Sequence, residues 1–199
     1  MKPFETFRSA ILAGIAISCG GFVFLVLGGI PGAVAFTFGL LTVVHYKMKL
    51  FTGAIGFAQS WKETGDMFII LAGNVLGCLL VSLLARVSPL GLQETAQTLL
   101  EKRLATGALK CGALAIGCGF VVTTAVCFGR QDKWLPLLFG VPLFIICGFP
   151  HCIADAFYYL VVPFPWLGAH FCSVLGLWVC LVLGNAIGCN LYRIITWQK

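Results

Sequence analysis

Charged side chains are scarce in this sequence. They make up 10% of the 199 residues, whereas soluble domains carry about 25%. Apolar residues account for 60%, and the mean hydropathy is +1.01. A chain with so few charges cannot cover a folded surface in water, so the sequence predicts an integral membrane protein. A basic run is missing as well, and scattered basic residues with a net charge of +6 do not indicate nucleic-acid binding.

The groupings typical of metal sites, disulfides and catalysis are also missing from the sequence. Ten cysteines lie in or beside apolar stretches, but none belongs to a Cys-x-x-Cys pair. Such isolated thiols are typical of small, soft fillers between helices. Paired carboxylates, a nucleophile with a neighbouring base and zinc-ligand spacing are all absent. We therefore expect neither an enzyme nor a bound metal or cofactor.

Six apolar stretches are long enough to cross a bilayer, which takes roughly 20 residues. The second and fifth are too long for one crossing and carry glycine or proline inside, so we expect both of these helices to be broken. Residues 1–9 are typical of an amphipathic lead-in at the interface, residues 61–66 of a polar loop, and residues 93–103 of a surface helix. The predicted spans are residues 10–27, 33–59, 67–84, 104–128, 134–162 and 167–192.

The loop charges predict how these spans are oriented. An even number of spans puts both ends of the chain on one side, where seven basic residues lie against three on the other. The positive-inside rule then places both termini in the cytoplasm of a cell (inner) membrane. The first span lacks a small-residue cleavage pattern, so we interpret it as a retained span. Residues 1–199 are expected to form a single transmembrane domain.

Two short segments recur in the same order, which indicates an internal duplication. The match between residues 16–20 and 115–119 also aligns Thr52 with His151. Each copy, about residues 10–86 and 104–193, holds an odd number of spans, so the copies are expected to be inverted, with their broken helices meeting near the midplane. The matched segments are Gly73-Asn74-Val75-Leu76-Gly77-Cys78 with Gly184-Asn185-Ala186-Ile187-Gly188-Cys189, and Ala16-Ile17-Ser18-Cys19-Gly20 with Ala115-Ile116-Gly117-Cys118-Gly119.

The ionisable residue that most strongly suggests a pore is His151, inside the fifth span. Ionisable groups cost about 2.5–3.5 kcal/mol at a membrane helix centre and usually mark a pathway. A neutral imidazole there can hydrogen-bond an anion or exchange a proton with it, and the Thr52 hydroxyl can orient the ring. Bulky apolar side chains nearby predict a hydrophobic constriction. The predicted gate residues are Phe36, Leu40, Val122 and Phe144.

Two further charges lie close to these residues in the sequence. Lys49 precedes Thr52 by one helical turn, and Asp155 follows His151 by four residues, which puts both on one face of a helix. We expect Asp155 to pair with a lysine inside the bundle. Whether such a pair serves the pore or only holds the broken helices together is left open, because intramembrane charges do both.

These motifs, in this order, resemble those of the formate/nitrite transporter family over nearly the whole chain. The family's second span contains F-x-x-G-L and then L-F-T-G-N. Its fifth span has a proline and a phenylalanine before G-F-E/Q-H-x-x-A-N, and its sixth ends with G-N-x-x-G. The matching segments are Phe36-Thr37-Phe38-Gly39-Leu40, Leu50-Phe51-Thr52-Gly53-Ala54, Pro142-Leu143-Phe144, Gly148-Phe149-Pro150-His151-Cys152-Ile153-Ala154-Asp155 and Gly184 to Gly188.

The resemblance implies an all-α, aquaporin-like protomer in a homopentamer, with one pore in each subunit. It also implies conduction of small monovalent anions such as formate, nitrite or hydrosulfide. Whether transport is coupled to protons through the central histidine is left open. The family's mid-pore threonine and histidine correspond to Thr52 and His151. Its gate positions and the residues flanking the loop correspond to Phe36, Leu40, Phe144, Leu50 and Phe51.

The sequence departs from the family pattern at several pore positions. Ala54 stands where Asn is usual, Pro150 replaces Glu or Gln, and Asp155 replaces Asn. The polar lining is therefore altered, which weakens the case for formate as the substrate. The added lysines raise the local concentration of anions and so still favour an anion as the substrate. Two alternatives stay open. One is an aquaporin-like pore for water or a small neutral solute, which Lys47 and Lys49 argue against. The other is a non-conducting scaffold closed by an Asp155–Lys49 bridge.

Overall fold

The computed structural model of the chain describes residues 3–58 and 61–196. Within these residues the structure contains ten helices and a short 3-10 turn, and no strand. In chain order the helices are α1 (Pro3–Leu27), α2 (Gly29–His45), α3 (Phe51–Ala54, followed by the 3-10 turn Ile55–Phe57), α4 (Trp61–Val87), α5 (Leu92–Thr106), α6 (Ala108–Gly129), α7 (Leu135–Ile146), α8 (Cys152–Val161), α9 (Phe164–Ala169) and α10 (Phe171–Thr196).

Helix length separates two kinds of element. By length and composition, α1, α4, α6 and α10 are each able to cross a membrane. The apolar helices α2, α7 and α8 have 17, 12 and 10 residues, fewer than the roughly 20 that one crossing takes. Each of the two overlong sequence stretches is therefore divided: a loop leads from α2 to α3, and another from α7 to α8.

Glycines bring the long helices into backbone contact in two pairs. A Cβ on Gly77 of α4 would lie 2.2 Å from the Ile11 carbonyl oxygen of α1, and a Cβ on Gly188 of α10 would lie 2.0 Å from the Ile116 carbonyl oxygen of α6. Any side chain at either position would collide with backbone, so only glycine permits these crossings. Small residues serve the same purpose at many membrane helix contacts, where backbones approach closely.

Several boundaries differ from the prediction. α1 is continuous from Pro3 and absorbs the described part of the lead-in, because proline suits the first turn of a helix and no breaker follows it. Residues 1–2 lie outside the described residues. The predicted polar loop at residues 61–66 is instead the start of α4, where Glu63 lies in the first turn and favours the helix electrostatically.

The surface helix predicted at residues 93–103 is confirmed as α5. Its buried side chains are Leu92, Ala96 and Leu100, which lie on one face. Gly107, with φ 91°, ends α5 and starts α6 in a conformation that glycine adopts at little cost. The predicted start of the fourth span at residue 104 is therefore wrong, because residues 104–106 belong to α5.

The distribution of polarity is opposite to that of a soluble protein. Large apolar side chains such as Leu109, Val87 and Phe68 are more than 70% exposed. A surface of this kind suits lipid or neighbouring subunits. The buried polar and charged residues are few, and most surround the two loops that divide the overlong stretches: Thr52, Asn74, His151, Asp155 and Asn185.

Candidate functional site

The two interrupted segments turn in the same way, and we call them the first break (residues 46–50) and the second break (residues 147–151). Lys47, with φ 52°, and Gly148, with φ 70°, take the left-handed conformation that ends many helices. Leu50 and His151 are then extended, at φ −101° and φ −110°, immediately before α3 and α8. The closing hydrogen bonds run from Met48 N–H to the Val43 carbonyl and from Phe149 N–H to the Phe144 carbonyl, both at 2.9 Å.

The first break is held by Asn74 of α4. Its Oδ1 accepts from the Phe51 N–H at 2.9 Å, and its Nδ2 donates to the Lys49 carbonyl at 2.9 Å. The same Nδ2 donates to the Ala10 carbonyl of α1 at 2.8 Å. The Phe51 N–H opens the first turn of α3 and has no partner inside the helix. One buried amide thus ties together the break, the helix after it and a long neighbouring helix.

The second break is held in the same way by Asn185 of α10. Its Oδ1 accepts from the Cys152 N–H at 2.7 Å, and its Nδ2 donates to the Pro150 carbonyl at 3.0 Å and to the Ala115 carbonyl of α6 at 2.8 Å. The two asparagines occupy the same position in the recurring segments. The duplicated sequence therefore produces duplicated hydrogen bonds.

Thiols four residues after these asparagines make a second matched contact. The Cys78 thiol donates to the Ile153 carbonyl at 3.4 Å, and the Cys189 thiol donates to the Thr52 carbonyl at 3.0 Å. These two cysteines were predicted only to fill space between helices, but each thiol also donates a hydrogen bond to the backbone of a short helix. The Thr52 carbonyl receives a further bond from the Thr123 hydroxyl at 3.3 Å.

These bonds correct the alignment of the two halves. The asparagines pair Phe51 with Cys152, which makes Leu50, and not Thr52, the counterpart of His151. They also pair Ala10 with Ala115. The five-residue match placed Ala115 opposite Ala16 and is therefore out of register. Such matches arise easily among segments rich in glycine, alanine and cysteine.

The side chains of Thr52 and His151 contact each other even though the two residues are not counterparts. The Thr52 Oγ1 lies 2.9 Å from the His151 Nε2, and both residues are buried. The other ring nitrogen, Nδ1, accepts the Ala154 N–H at 3.2 Å and caps α8. Because Nδ1 is an acceptor in this bond, the neutral ring carries its proton on Nε2 and donates it toward Thr52.

Aromatic rings extend from the histidine into the apolar interior. The Phe144 ring stacks near the His151 ring, with 5.9 Å between centroids, and meets the Phe36 ring edge-on at 6.3 Å. The remaining predicted gate and loop residues are also buried, but no ring contact joins them to this stack. They are Leu40, Leu50, Phe51 and Val122.

Lys47 and Lys49 line a broad cavity and do not lie beside the histidine. The cavity measures about 910 Å³, and its lining includes Leu50 of the first break and Gly53 of α3. Glu63, Asp66 and Arg130 are also part of its lining. We call this charged cavity the vestibule.

Asp155 pairs with an arginine, so the expected pairing with a lysine is wrong. The Arg103 Nε of α5 lies 3.3 Å from the Asp155 Oδ1. Asp155 also accepts the His151 N–H through Oδ2 at 3.1 Å and the Tyr159 hydroxyl through Oδ1 at 3.1 Å. The proposed Asp155–Lys49 bridge, and with it the main support for a non-conducting scaffold, is therefore removed.

Sequence reasoning missed three residues of the site: Asn74, Asn185 and Arg103. The sequence did carry a signal for the asparagines, because an amide repeated at the same place in two apolar spans is costly unless it makes hydrogen bonds. Arg103 gave no comparable signal, because it lies on a polar surface helix far along the chain from Asp155.

Comparison with known proteins identifies relatives over nearly the whole chain. A model of the family described as formate/nitrite transporter matches residues 1–198. An uncharacterized transporter of Bacillus subtilis, YrhG, is 30% identical in an alignment 201 residues long that covers 87% of this chain and 73% of the relative. The formate channel FocB of Escherichia coli is 26% identical in an alignment 196 residues long that covers 84% of this chain and 68% of the relative.

Solved structures show the same fold. A pentameric formate channel with formate bound has a TM-score of 0.81 at 21% identity, and the match covers 98% of this chain and 96% of that one. An ion channel of the same family has a TM-score of 0.77 at 19% identity. At these identities the likeness concerns the fold alone.

Proposed function

The chain belongs to the formate/nitrite transporter family, and on that premise we propose that it conducts small monovalent anions of the formate, nitrite or hydrosulfide class across a membrane. The observation that carries the proposal is the buried Thr52–His151 pair between the two breaks. The relatives named as formate channels support the same class of substrate.

The pair offers one hydrogen-bond donor in an otherwise apolar passage. The Ala154 N–H occupies Nδ1 of His151, so the proton on Nε2 faces Thr52, and an arriving anion would compete with the Thr52 hydroxyl oxygen for this proton. A neutral donor can hydrogen-bond an anion in a dry site without the protein having to keep an unpaired charge of its own buried there. Aromatic closure by Phe36 and Phe144 slows bare ions and water.

Proton coupling through His151 stays a prediction. A second proton on the ring would sit on Nδ1, where the Ala154 N–H now points, so the imidazolium form requires that this capping bond be broken. The coupling predicts that a lower external pH accelerates uptake of the anion between about pH 5 and 7.5, around the reference histidine value. It further predicts that His151→Asn removes this acceleration.

We also propose that the chain crosses the membrane six times, in two inverted repeats of about residues 10–86 and 104–193. The matched turns, asparagine bonds and thiol bonds of the two breaks support the duplication. An odd number of crossings in each copy requires the inversion. A cytoplasmic location of both termini follows from the positive-inside rule.

The proposed assembly is a homopentamer with one pore in each subunit. A solved relative in fold is a pentameric formate channel, and the large apolar side chains on the outside of this chain suit both subunit contacts and lipid. The vestibule lysines Lys47 and Lys49 lie where they would concentrate anions before the first break.

A solute panel tests the substrate class. Purified protein in liposomes is assayed for uptake of formate, nitrite and hydrosulfide, and for water permeability by stopped-flow light scattering. We expect anion uptake far above that of protein-free liposomes, with water permeability close to theirs. Water or neutral-solute flux without anion flux would replace the proposal with an aquaporin-like pore, which the lysines of the vestibule argue against.

A further inference from the structure

Arg103 bridges the two ends of the second break. Its Nη1 donates to the Gly148 carbonyl at 2.8 Å, near the start of the break, and its Nε contacts the Asp155 Oδ1 at 3.3 Å, after the break. The arginine side chain is 21% exposed and the aspartate side chain 2% exposed. A single side chain from the surface helix α5 thus reaches inward and holds both ends of the loop that carries His151.

Asp155 passes this restraint on to the histidine. Its Oδ2 accepts the His151 N–H at 3.1 Å, while the Ala154 N–H binds the His151 ring at 3.2 Å. The two bonds form a reciprocal cap at the start of α8, similar in logic to a capping box. The Tyr159 hydroxyl, one turn further along α8, fixes the other carboxylate oxygen at 3.1 Å.

The charge of Asp155 is not needed for these hydrogen bonds. An asparagine at this position would accept the His151 N–H with its amide oxygen and would donate from its amide nitrogen to the Tyr159 hydroxyl oxygen. The charge does have an electrostatic consequence, because it lies buried one helical turn beyond the histidine. An unpaired carboxylate there would repel an anion at the ring, and the repulsion would be strong because the surroundings are apolar.

We propose that Arg103 is a positioning residue whose task is to neutralise Asp155, so that an anion can reach the His151 ring. The proposal rests on anion conduction as the function. Removing the arginine leaves a buried, uncompensated negative charge, which is the costly way to break such a pair. Removing both charges restores a neutral wall and keeps the bond from residue 155 to the His151 N–H.

Formate uptake into liposomes tests this with four variants: Arg103→Gln, Asp155→Asn, the double variant, and Lys102→Gln as control. Lys102 is the exposed neighbour on α5, so its change removes one positive charge from the same helix without touching the break. Only protein that elutes at the size of the wild-type assembly is reconstituted. Uptake is measured over a range of formate concentrations to separate the maximal rate from the half-saturating concentration.

We expect Arg103→Gln to lower uptake at low formate at least tenfold, mainly through a higher half-saturating concentration. The double variant is expected to recover uptake to within about threefold of Asp155→Asn, and Lys102→Gln is expected to stay within about threefold of wild type. If Arg103→Gln does not assemble, the double variant should still match Asp155→Asn, because the arginine has no task once the carboxylate is gone.

Three results would overturn the inference. Arg103→Gln could retain wild-type uptake, the double variant could be as impaired as Arg103→Gln, or Lys102→Gln could fall as far as Arg103→Gln. The second outcome would make the arginine a structural staple only, and the third would make the effect one of surface charge. Wild-type protein that carries no formate, nitrite or hydrosulfide would instead refute the proposed function.

Discussion

Replacing Asn185 with leucine, which has a similar volume, removes the amide that holds the second break. The substitution deletes three hydrogen bonds, to Cys152, Pro150 and Ala115. At an average of about 0.6 kcal/mol for an interhelical bond in a membrane, their loss costs about 2 kcal/mol. The Cys152 N–H is then left buried without a partner, which adds about 1–3 kcal/mol.

The expected loss of stability is therefore about 3–5 kcal/mol. For a chain of this size, each kcal/mol shifts Tm by about 2–4 °C, so the shift is on the order of 10 °C. Thermal unfolding in detergent, followed by tryptophan fluorescence, measures it, and liposome assays measure formate uptake by the same preparation. Uptake should fall at least tenfold, because both residues that flank His151 lose a bond.

Asn190 supplies a matched control on the same helix. It is half-buried, and its amide makes bonds at 2.9 Å to the Ala186 carbonyl within α10 and at 3.3 Å to the Ile55 carbonyl, away from the second break. Asn190→Leu should shift Tm by less than half as much as Asn185→Leu. Equal shifts in the two variants, or full uptake by Asn185→Leu, would refute the assignment of Asn185 as the clamp of the second break.

Two further substitutions test other parts of the site. Thr52→Val keeps the shape of the side chain but removes the hydroxyl 2.9 Å from His151, so formate uptake should fall about tenfold. Thr52→Ser keeps the hydroxyl, and its uptake should stay within about threefold of wild type. Equal uptake rates for the two variants would contradict a role for the hydroxyl. Gly188→Ala places a methyl group 2.0 Å from the Ile116 carbonyl oxygen. It should lower the free energy of unfolding by more than about 3 kcal/mol, the upper end of ordinary overpacking. The control Gly176→Ala has open space around it and, like most surface substitutions, should change Tm by less than about 2 °C in the same fluorescence measurement.

The helical character of the chain and the location of its apolar spans were predictable because both depend on local composition. A run of twenty apolar residues has few alternatives to a membrane helix. The division of the overlong stretches was foreseeable for the same reason, since a crossing has a fixed length. Helix ends were less predictable. The start of α4, for example, is polar, and polar residues near a membrane surface fit a loop and a helix equally well.

The contents of the site were only partly predictable. Thr52 and His151 stood out because each interrupts an apolar run, and the structure places their side chains within hydrogen-bond distance. The partner of Asp155 was not predictable, because Arg103 is 52 positions away on a separate helix. Contacts of that kind depend on how helices pack, which composition and spacing do not determine.

The repeat shows both the value and the limit of short matches. The six-residue segments around Asn74 and Asn185 proved equivalent because each asparagine makes the same three bonds. The match that paired Thr52 with His151 did not have a specific polar residue to fix its register. Two segments made only of small apolar residues match each other about equally well in several registers.

Formate uptake by His151→Asn, compared with His170→Asn, tests the central claim most directly. Asparagine is a favoured N-cap residue, so the first variant can keep the start of α8 while losing the ring that faces Thr52. His170 is exposed and stacks on Trp166 at 4.0 Å, away from the breaks. We predict that His151→Asn lowers initial uptake at least tenfold in protein of wild-type size and that His170→Asn leaves it unchanged. Wild-type uptake by His151→Asn would contradict the account.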